Sequence, residues 1–198
     1  RTQAPIALVL FCWLLLLLQI GAVAAAPAAR VRFQAFAAEA GLSQISAAAI
    51  LEDRQGFLWV GTQDGLNRFD GYGFRVHRHK AGDAQSLSDN YILALAEDRD
   101  GGIWVATLNG LNRLDPMTGR FERFSAVAGR GSLRDTLVVA VNAGEDGSVY
   151  ASTRRGGVQR LVAASRQFEA VPGMPAFSSR QKVLHVKADG RLLVANDA

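Results

Sequence analysis

One segment of this chain is repeated almost letter for letter. Residues 51–70 return as residues 96–115, without a gap and at a constant shift of 45 positions. A weaker third copy spans residues 146–161, and a fourth begins at residue 183 and is cut off at residue 198. Because each copy has this length and consists of short apolar runs between glycine turns, the period indicates repeated β-sheet units.

Each copy divides into four short strands. The first is an apolar run, a polar turn ending in glycine follows, and the second strand carries an aromatic residue such as Trp59 or Trp104. Repeats of this length and strand count are typical of a β-propeller, in which each blade packs against a neighbour on both faces. The sequence therefore predicts an all-β fold with four antiparallel strands per blade, in an incomplete ring of about 3.5 blades.

The repeat frame also predicts the domain boundaries. Three complete blades are expected, followed by the start of a truncated fourth, at residues 41–80, 81–125, 126–171 and 172–198. A small residue stands two positions after each aromatic position, where adjacent blades are expected to approach closely: Gly61, Ala106, Ser152 and Ala195. The repeated Trp59 and Trp104 are therefore interpreted as core residues rather than as a sugar-stacking surface.

The N-terminal part has the pattern of an export signal. Residues 6–18 are almost uninterrupted apolar residues, and Ala22-Val23-Ala24 has the small-x-small form of a signal-peptidase site. We predict a signal peptide over residues 1–24, cleaved after Ala24, and a lead-in segment over residues 25–40; an uncleaved anchor is the alternative. The single cysteine, Cys12, lies in the predicted signal, so the mature part needs no disulfide, which suits a bacterial periplasm.

Composition and motifs exclude several functions. The net charge is +4, but the arginines are spread through every unit without a basic run, so nucleic-acid binding is not expected. No spacing places a nucleophile beside a base, and no phosphate loop or cysteine pair occurs, so we expect no catalytic residue and no cofactor. His77 and His79 could share one face of a strand, yet Arg78 and Lys80 adjoin them. A solvated outer strand is therefore favoured over a metal site.

Candidate ligand contacts are expected in the turn between the second and third strands of each unit, because loops on a rigid scaffold carry most binding residues. The chemistry of these turns differs from blade to blade while the frame repeats. Such variation suits recognition by a radial scaffold, and unconstrained loop drift would produce it as well. The six candidates are Gln63, Asp64, Leu108, Asn109, Arg154 and Arg155.

The unit over residues 51–70 resembles the two-component regulator propeller repeat, as do the preceding segments 41–44 and 86–90. The third unit departs from that pattern at Tyr150 and at Gly156-Gly157. The resemblance implies the N-terminal part of a longer bacterial protein, whose propeller is a periplasmic sensor. It also implies a downstream membrane helix, often after an immunoglobulin-like domain, and a cytoplasmic histidine kinase or diguanylate cyclase.

Three function classes remain open. The favoured one is a sensory input module that binds a small extracellular ligand and is itself not an enzyme. The downstream helix would then provide the membrane contact, and a homodimer is one candidate assembly of the full-length protein. The alternatives are a secreted propeller enzyme similar to the streptogramin lyases, which the scarcity of histidine disfavours, and a protein-interaction scaffold of the cell envelope.

Overall fold

The computed structural model describes residues 41–126, 133–174, 181–187 and 191–196. The predicted signal peptide over residues 1–24 and the lead-in over residues 25–40 lie outside these ranges. No helix long and apolar enough to cross a membrane occurs among the residues described. The strands are β1 (Ala47–Glu52), β2 (Leu58–Thr62), β3 (Gly65–Phe69), β4 (Phe74–His77), β5 (Ile92–Glu97), β6 (Ile103–Thr107), β7 (Gly110–Asp115), β8 (Arg120–Phe124), β9 (Val138–Ala143), β10 (Val149–Thr153), β11 (Gly157–Val162), β12 (Gln167–Ala170), β13 (Gln181–Val186) and β14 (Leu192–Asn196).

The strands form sheets in simple chain order. β1 to β4, β5 to β8 and β9 to β12 each make a four-stranded antiparallel sheet, and β13 pairs with β14. Neighbouring sheets approach through their first strands, β1 to β5, β5 to β9 and β9 to β13. The first strands therefore lie nearest a common hub, and the predicted all-β architecture of four-stranded blades is confirmed.

Apolar side chains fill the spaces between successive blades. Trp59 packs with Ile92 and Ile103 of the second blade, and Trp104 packs with Val138 and Phe168 of the third. Both tryptophans are 1% exposed. The interpretation of the two repeated tryptophans as core residues is therefore confirmed.

The small residue after the first tryptophan marks a close approach of two blades. A Cβ atom added to Gly61 would lie 2.5 Å from Cγ2 of Ile92, which belongs to the first strand of the next blade. Real Cβ contacts are essentially never this short, so a larger residue at position 61 would push the two blades apart.

An aspartate fixes the turn beside each tryptophan. The carboxylate of Asp53 accepts hydrogen bonds from the amides of Gln55 and Phe57 and from Nε1 of Trp59 at 2.7 Å. Asp98 makes the same set of bonds in the second blade and binds Nε1 of Trp104 at 2.9 Å.

The third blade has neither this aspartate nor the tryptophan. Gly144 occupies the corresponding turn position, where its amide donates to the carbonyl of Ser148. Tyr150 stands on the neighbouring strand in place of tryptophan. Tyrosine has no indole N–H, so one of the donors that the carboxylate serves in the first two blades is absent. The turn amide of Ser148 donates to the carboxylate of Asp146 instead, so the two changes are physically consistent.

Candidate functional site

The six candidate residues lie in corresponding turns at one end of three adjacent sheets. These turns join β2 to β3, β6 to β7, and β10 to β11. Each of the first two turns is hydrogen-bonded to the segment that enters the next blade. The amide of Gly65 donates to the carbonyl of Asn90 at 2.8 Å, and the amide of Gly110 donates to the carbonyl of Thr136 at 2.6 Å. The three turns and the segments entering the second and third blades form one surface, here called the turn face.

In the first blade the turn is tied to its surroundings by side chains. Nε2 of Gln63 donates to the hydroxyl of Tyr91 at 3.1 Å. The carboxylate of Asp64 accepts from the guanidinium of Arg78 at 2.9 Å, and both side chains are nearly half exposed. The ion pair neutralises Asp64, so this part of the turn face offers neutral hydrogen-bonding groups rather than a free carboxylate.

In the second blade the turn projects toward solvent. Leu108 is 42% exposed, and Asn109 is also exposed. The backbone of this turn is nevertheless held, because the amide of Leu108 donates to the carbonyl of Tyr91, and that of Asn109 donates to Oγ1 of Thr107. Because the backbone is already fixed, the two exposed side chains can contact a ligand without a further cost of ordering the backbone.

In the third blade the turn face is basic. Arg154 and Arg155 are exposed, and so is Arg134 in the segment that enters the blade. The carboxylate of Asp135 accepts from the backbone amide of Arg155 at 3.0 Å, and no ion pair between Asp135 and these arginines occurs among the described residues. Three arginines against one carboxylate make this end of the turn face suited to an anionic group.

A buried side-chain network fixes the entering segment to the turn face in the first two blades. Asn67 is fully buried; its Oδ1 accepts from the amide of Ser43, and its Nδ2 donates to the Ser43 hydroxyl, each at 2.9 Å. The Ser43 hydroxyl also lies 2.9 Å from Oγ1 of Thr62. Ser88, Asn112 and Thr107 repeat these contacts one blade later.

The third blade keeps only part of this network. Gln159 replaces the asparagine, and its Oε1 accepts from the amide of Arg134 at 3.1 Å. Nε2 of Gln159 and Oγ of Ser152 are buried without a hydrogen-bond partner. An unsatisfied buried polar group costs about 1–3 kcal/mol, so this end of the turn face is held less firmly.

The repeat pattern predicts the three turns but not the residues that surround them. Tyr91, Arg78 and Asp135 contact the candidates, although they lie in the segments between blades. The repeat itself carries a signal for the entering segments, because Ser43 and Ser88 stand at equivalent positions. Nothing in the sequence pairs Arg78 with Asp64, since that contact depends on how the outer strand leaves the blade.

The solvated interpretation of the two-histidine strand is wrong for His77. This ring packs between the rings of Trp59 and Phe121, with centroid distances of 6.1 and 5.7 Å. Burial, with the charges of Arg75 and Arg68, lowers the pKa of His77 to about 4. His79 is exposed and its Nδ1 bonds to the carbonyl of Leu87, and no group of three metal-ligating side chains occurs in the described ranges.

The repeats match a known family. The family model for "Two component regulator propeller" matches residues 41–64 and 86–109. Histidine kinase P4 of Formosa agariphila is 48% identical over 56 residues, which are 28% of this chain and 4% of that protein. The resemblance found in the sequence is confirmed: the chain carries two-component regulator propeller repeats.

Solved structures of two kinds share the fold. The extracellular domain of the hybrid two-component system BT3049 from B. thetaiotaomicron superposes with a TM-score of 0.71 at 26% identity, over 81% of this chain and 23% of that one. Virginiamycin B lyase from Staphylococcus aureus superposes with a TM-score of 0.56 at 14% identity, over 75% of this chain and 48% of the lyase. The second similarity concerns the fold alone. The chain spans less than a quarter of the length of BT3049's extracellular domain.

Proposed function

We propose that this chain is the ligand-binding propeller region of an exported bacterial signal-transduction protein. The similarities to a histidine kinase and to the extracellular domain of a hybrid two-component system support this role. The observation that carries the proposal is the turn face, where a repeated buried network fixes the backbone while the exposed side chains change from blade to blade.

The ligand is a small extracellular molecule with hydrogen-bonding groups and a negative charge. The neutral groups would meet Gln63 and Asn109, and the charge would lie near Arg154 and Arg155. Binding pockets of this kind combine a few directed polar contacts with a preformed wall. The propeller region itself takes no catalytic part.

Signalling would follow from a difference in affinity between two states of the propeller. A ligand shifts an equilibrium only as far as its binding energies to the two states differ. The segments entering the blades contact the turns on both sides, so a ligand that bridges two turns would favour one relative position of the blades. In this proposal a helix anchored in the inner membrane passes the change from the periplasm to a cytoplasmic kinase or diguanylate cyclase.

A ligand screen on the full-length protein tests the proposal. We expect an acidic carbohydrate, organic acid or peptide from a panel of small solutes to raise the melting temperature. The variants Asn109→Ala and Arg155→Ala should reduce that shift, whereas Arg120→Ala, an exposed arginine on the outer strand β8, should leave it unchanged.

Each other outcome favours a different function. A ligand response that both turn-face variants retain would move the binding site elsewhere. Chemical conversion of the bound compound would indicate a propeller lyase, as the lyase-like fold allows. Failure of every small solute, with specific capture of an envelope protein, would indicate a scaffold.

A further inference from the structure

Three arginines occupy the same position on the third strand of successive blades, yet they have different surroundings. Arg68, Arg113 and Arg160 each stand opposite the aromatic residue of the second strand. Arg113 forms a two-pronged ion pair with the buried Asp98, with distances of 2.6 and 3.2 Å. Arg160 is exposed, and its guanidinium lies 5.9 Å from the ring centre of Tyr150.

Arg68 does not pair with the equivalent carboxylate, Asp53, because of one residue, Phe57. Phe57 occupies the position that Gly102 holds in the second blade, and a Cβ atom on Gly102 would overlap the guanidinium of Arg113. In the first blade the Phe57 ring fills that space, and the guanidinium of Arg68 stacks on it at 3.6 Å from the ring centre. Asp53 therefore keeps its bonds to the turn and to Trp59 but has no hydrogen bond to Arg68 among the bonds described.

The displaced arginine lines a cleft between the first and second blades. The cleft has a volume of about 120 Å³ and is also lined by Arg75, His77 and the turn at Thr118. Nε of Arg68 and Nε2 of His77 are buried without a hydrogen-bond partner among the described residues. The described lining includes two arginines and no carboxylate, so two positively charged side chains, and two residues with an unused nitrogen atom, border one small space.

We propose that this cleft binds a small oxyanion of the carboxylate, sulfate or phosphate class, held by Arg68 and Arg75 with a hydrogen bond from His77. A planar guanidinium binds such anions through two parallel N–H groups, and stacking on Phe57 leaves those groups free. The space corresponds to about four water molecules, which suits one oxyanion group.

The electrostatics of the cleft agree with this ligand. The low pKa of His77 keeps the ring neutral near pH 7, so its proton-bearing nitrogen can donate without adding a third positive charge. An adjoining cleft of about 210 Å³ shares Arg75 and His77 and adds Arg78, Lys80 and Asp83. Its net positive charge would attract an anion toward the inner cleft. The site is separate from the turn-face candidates and does not depend on the proposed sensory role.

Calorimetric titration of the full-length protein with sodium sulfate, phosphate and acetate, in a chloride background, tests the site. We expect saturable binding of at least one probe, weakened about tenfold or more by Arg68→Gln and by Arg75→Gln. Arg160→Gln is the matched control, because it removes the same charge from the same strand position one blade beyond Arg113, and its affinity should change less than about twofold. No saturable binding, or equal weakening in all three variants, would overturn the proposal.

A second variant tests whether Phe57 is what keeps Arg68 away from Asp53, and it leaves the net charge unchanged. Phe57→Gly recreates the turn of the second blade, so Arg68 should pair with Asp53 and anion binding should fall by about tenfold or more. A circular dichroism spectrum like that of the wild type would show that the blade is folded. Unchanged anion affinity in the folded Phe57→Gly protein would overturn the assignment of Arg68 to the site. The turn-face variant Asn109→Ala should retain wild-type anion affinity, which separates this proposal from the sensory one.

Discussion

At the scale of single residues, buried polar groups decide which features of the repeat are retained. Burial alone would raise the pKa of Asp98, but hydrogen bonds from Arg113, the Gly102 amide and Trp104, with the Arg113 charge, lower it overall. The same carboxylate fixes a turn, a tryptophan and an arginine. It is therefore a structural residue of the blade rather than a candidate acid or base.

Replacing the two equivalent aspartates should have unequal effects. We expect Asp98→Ala to lower the free energy of unfolding by about 3 kcal/mol or more, because it leaves Arg113 unpaired. Asp53→Ala should cost about 1–3 kcal/mol, since it leaves only the Trp59 and turn N–H groups without a partner. Urea unfolding of the full-length protein followed by tryptophan fluorescence measures both, and Asp70→Ala in an exposed turn is the control. Equal losses at the two sites would contradict the role of Arg113.

The half-buried His77 predicts a pH dependence of stability. The pKa of His77 is about 4 in the folded protein against 6.5 for the ordinary side chain, so the unfolded chain takes up the proton first. The free energy of unfolding should therefore fall as the pH is lowered from 6.5 to about 4. Below that value, His77 should cause no further fall. Most carboxylates are still ionised between pH 6.5 and 5. A His77→Gln variant should thus lose the pH dependence of unfolding in that interval, and a variant with unchanged dependence would rule His77 out as its source.

At the scale of strands and sheets, close approach between blades depends on the pairing of a small residue with a large one. Gly61 on β2 faces Ile92 at the start of β5, and Ile92 is fully buried. The two residues are 31 positions apart in the sequence. The contact therefore forms only when two complete blades are in place, and it links the first blade to the second.

The pairing predicts a compensating double mutant. Gly61→Ala should destabilise the protein by about 1–3 kcal/mol because the added methyl group collides with Ile92. Combining it with Ile92→Ala, which removes the Cγ2 atom that the added methyl group would meet, should cost less than the sum of the two single changes, so the two changes should not be additive. Gly73→Ala is the control, since a Cβ atom there meets nothing within 4 Å. Strict additivity in a thermodynamic cycle would show that the blades adjust without strain.

At the scale of the complete fold, one face of the first blade is left uncovered by the residues that the structure describes. Ile50 on β1 is 66% exposed and Ile45 is 77% exposed, whereas Val141, the counterpart of Ile50 in the third blade, is 5% exposed. Val141 is covered because a neighbouring blade packs on each side of β9. In a closed propeller, a further blade would pack against β1 and cover this face.

This uncovered face predicts poor behaviour of the isolated blades. Residues 41–198 expressed alone should associate or melt without a sharp transition. Each Å² of apolar surface that stays in contact with water lacks the roughly 25 cal/mol of stabilisation that its burial would provide. Size-exclusion chromatography and calorimetry measure the outcome, with Ile50→Lys as a variant that should reduce the association. A monomeric fragment with a sharp, reversible melt would contradict this expectation.

The architecture of the blades and the position of the candidate turns follow from local patterns in the sequence. Glycine turns, apolar strands and the recurring tryptophans are local features, and their 45-residue period repeats the same local structure each time. The boundaries of the strands follow from the same features. The role of the candidate turns in ligand binding stays a prediction.

Which groups meet between strands and between blades depends on how the chain packs in three dimensions. Arg68 and Arg113 share one position in the repeat, yet the bulk of Phe57 separates Arg68 from its carboxylate while Gly102 admits Arg113. His77 is half-buried because Trp59 of the same blade and Phe121 of the next blade pack against its ring. Such contacts depend on the sizes of side chains that are distant in sequence, so periodicity predicts the framework but not the chemistry of the clefts within it.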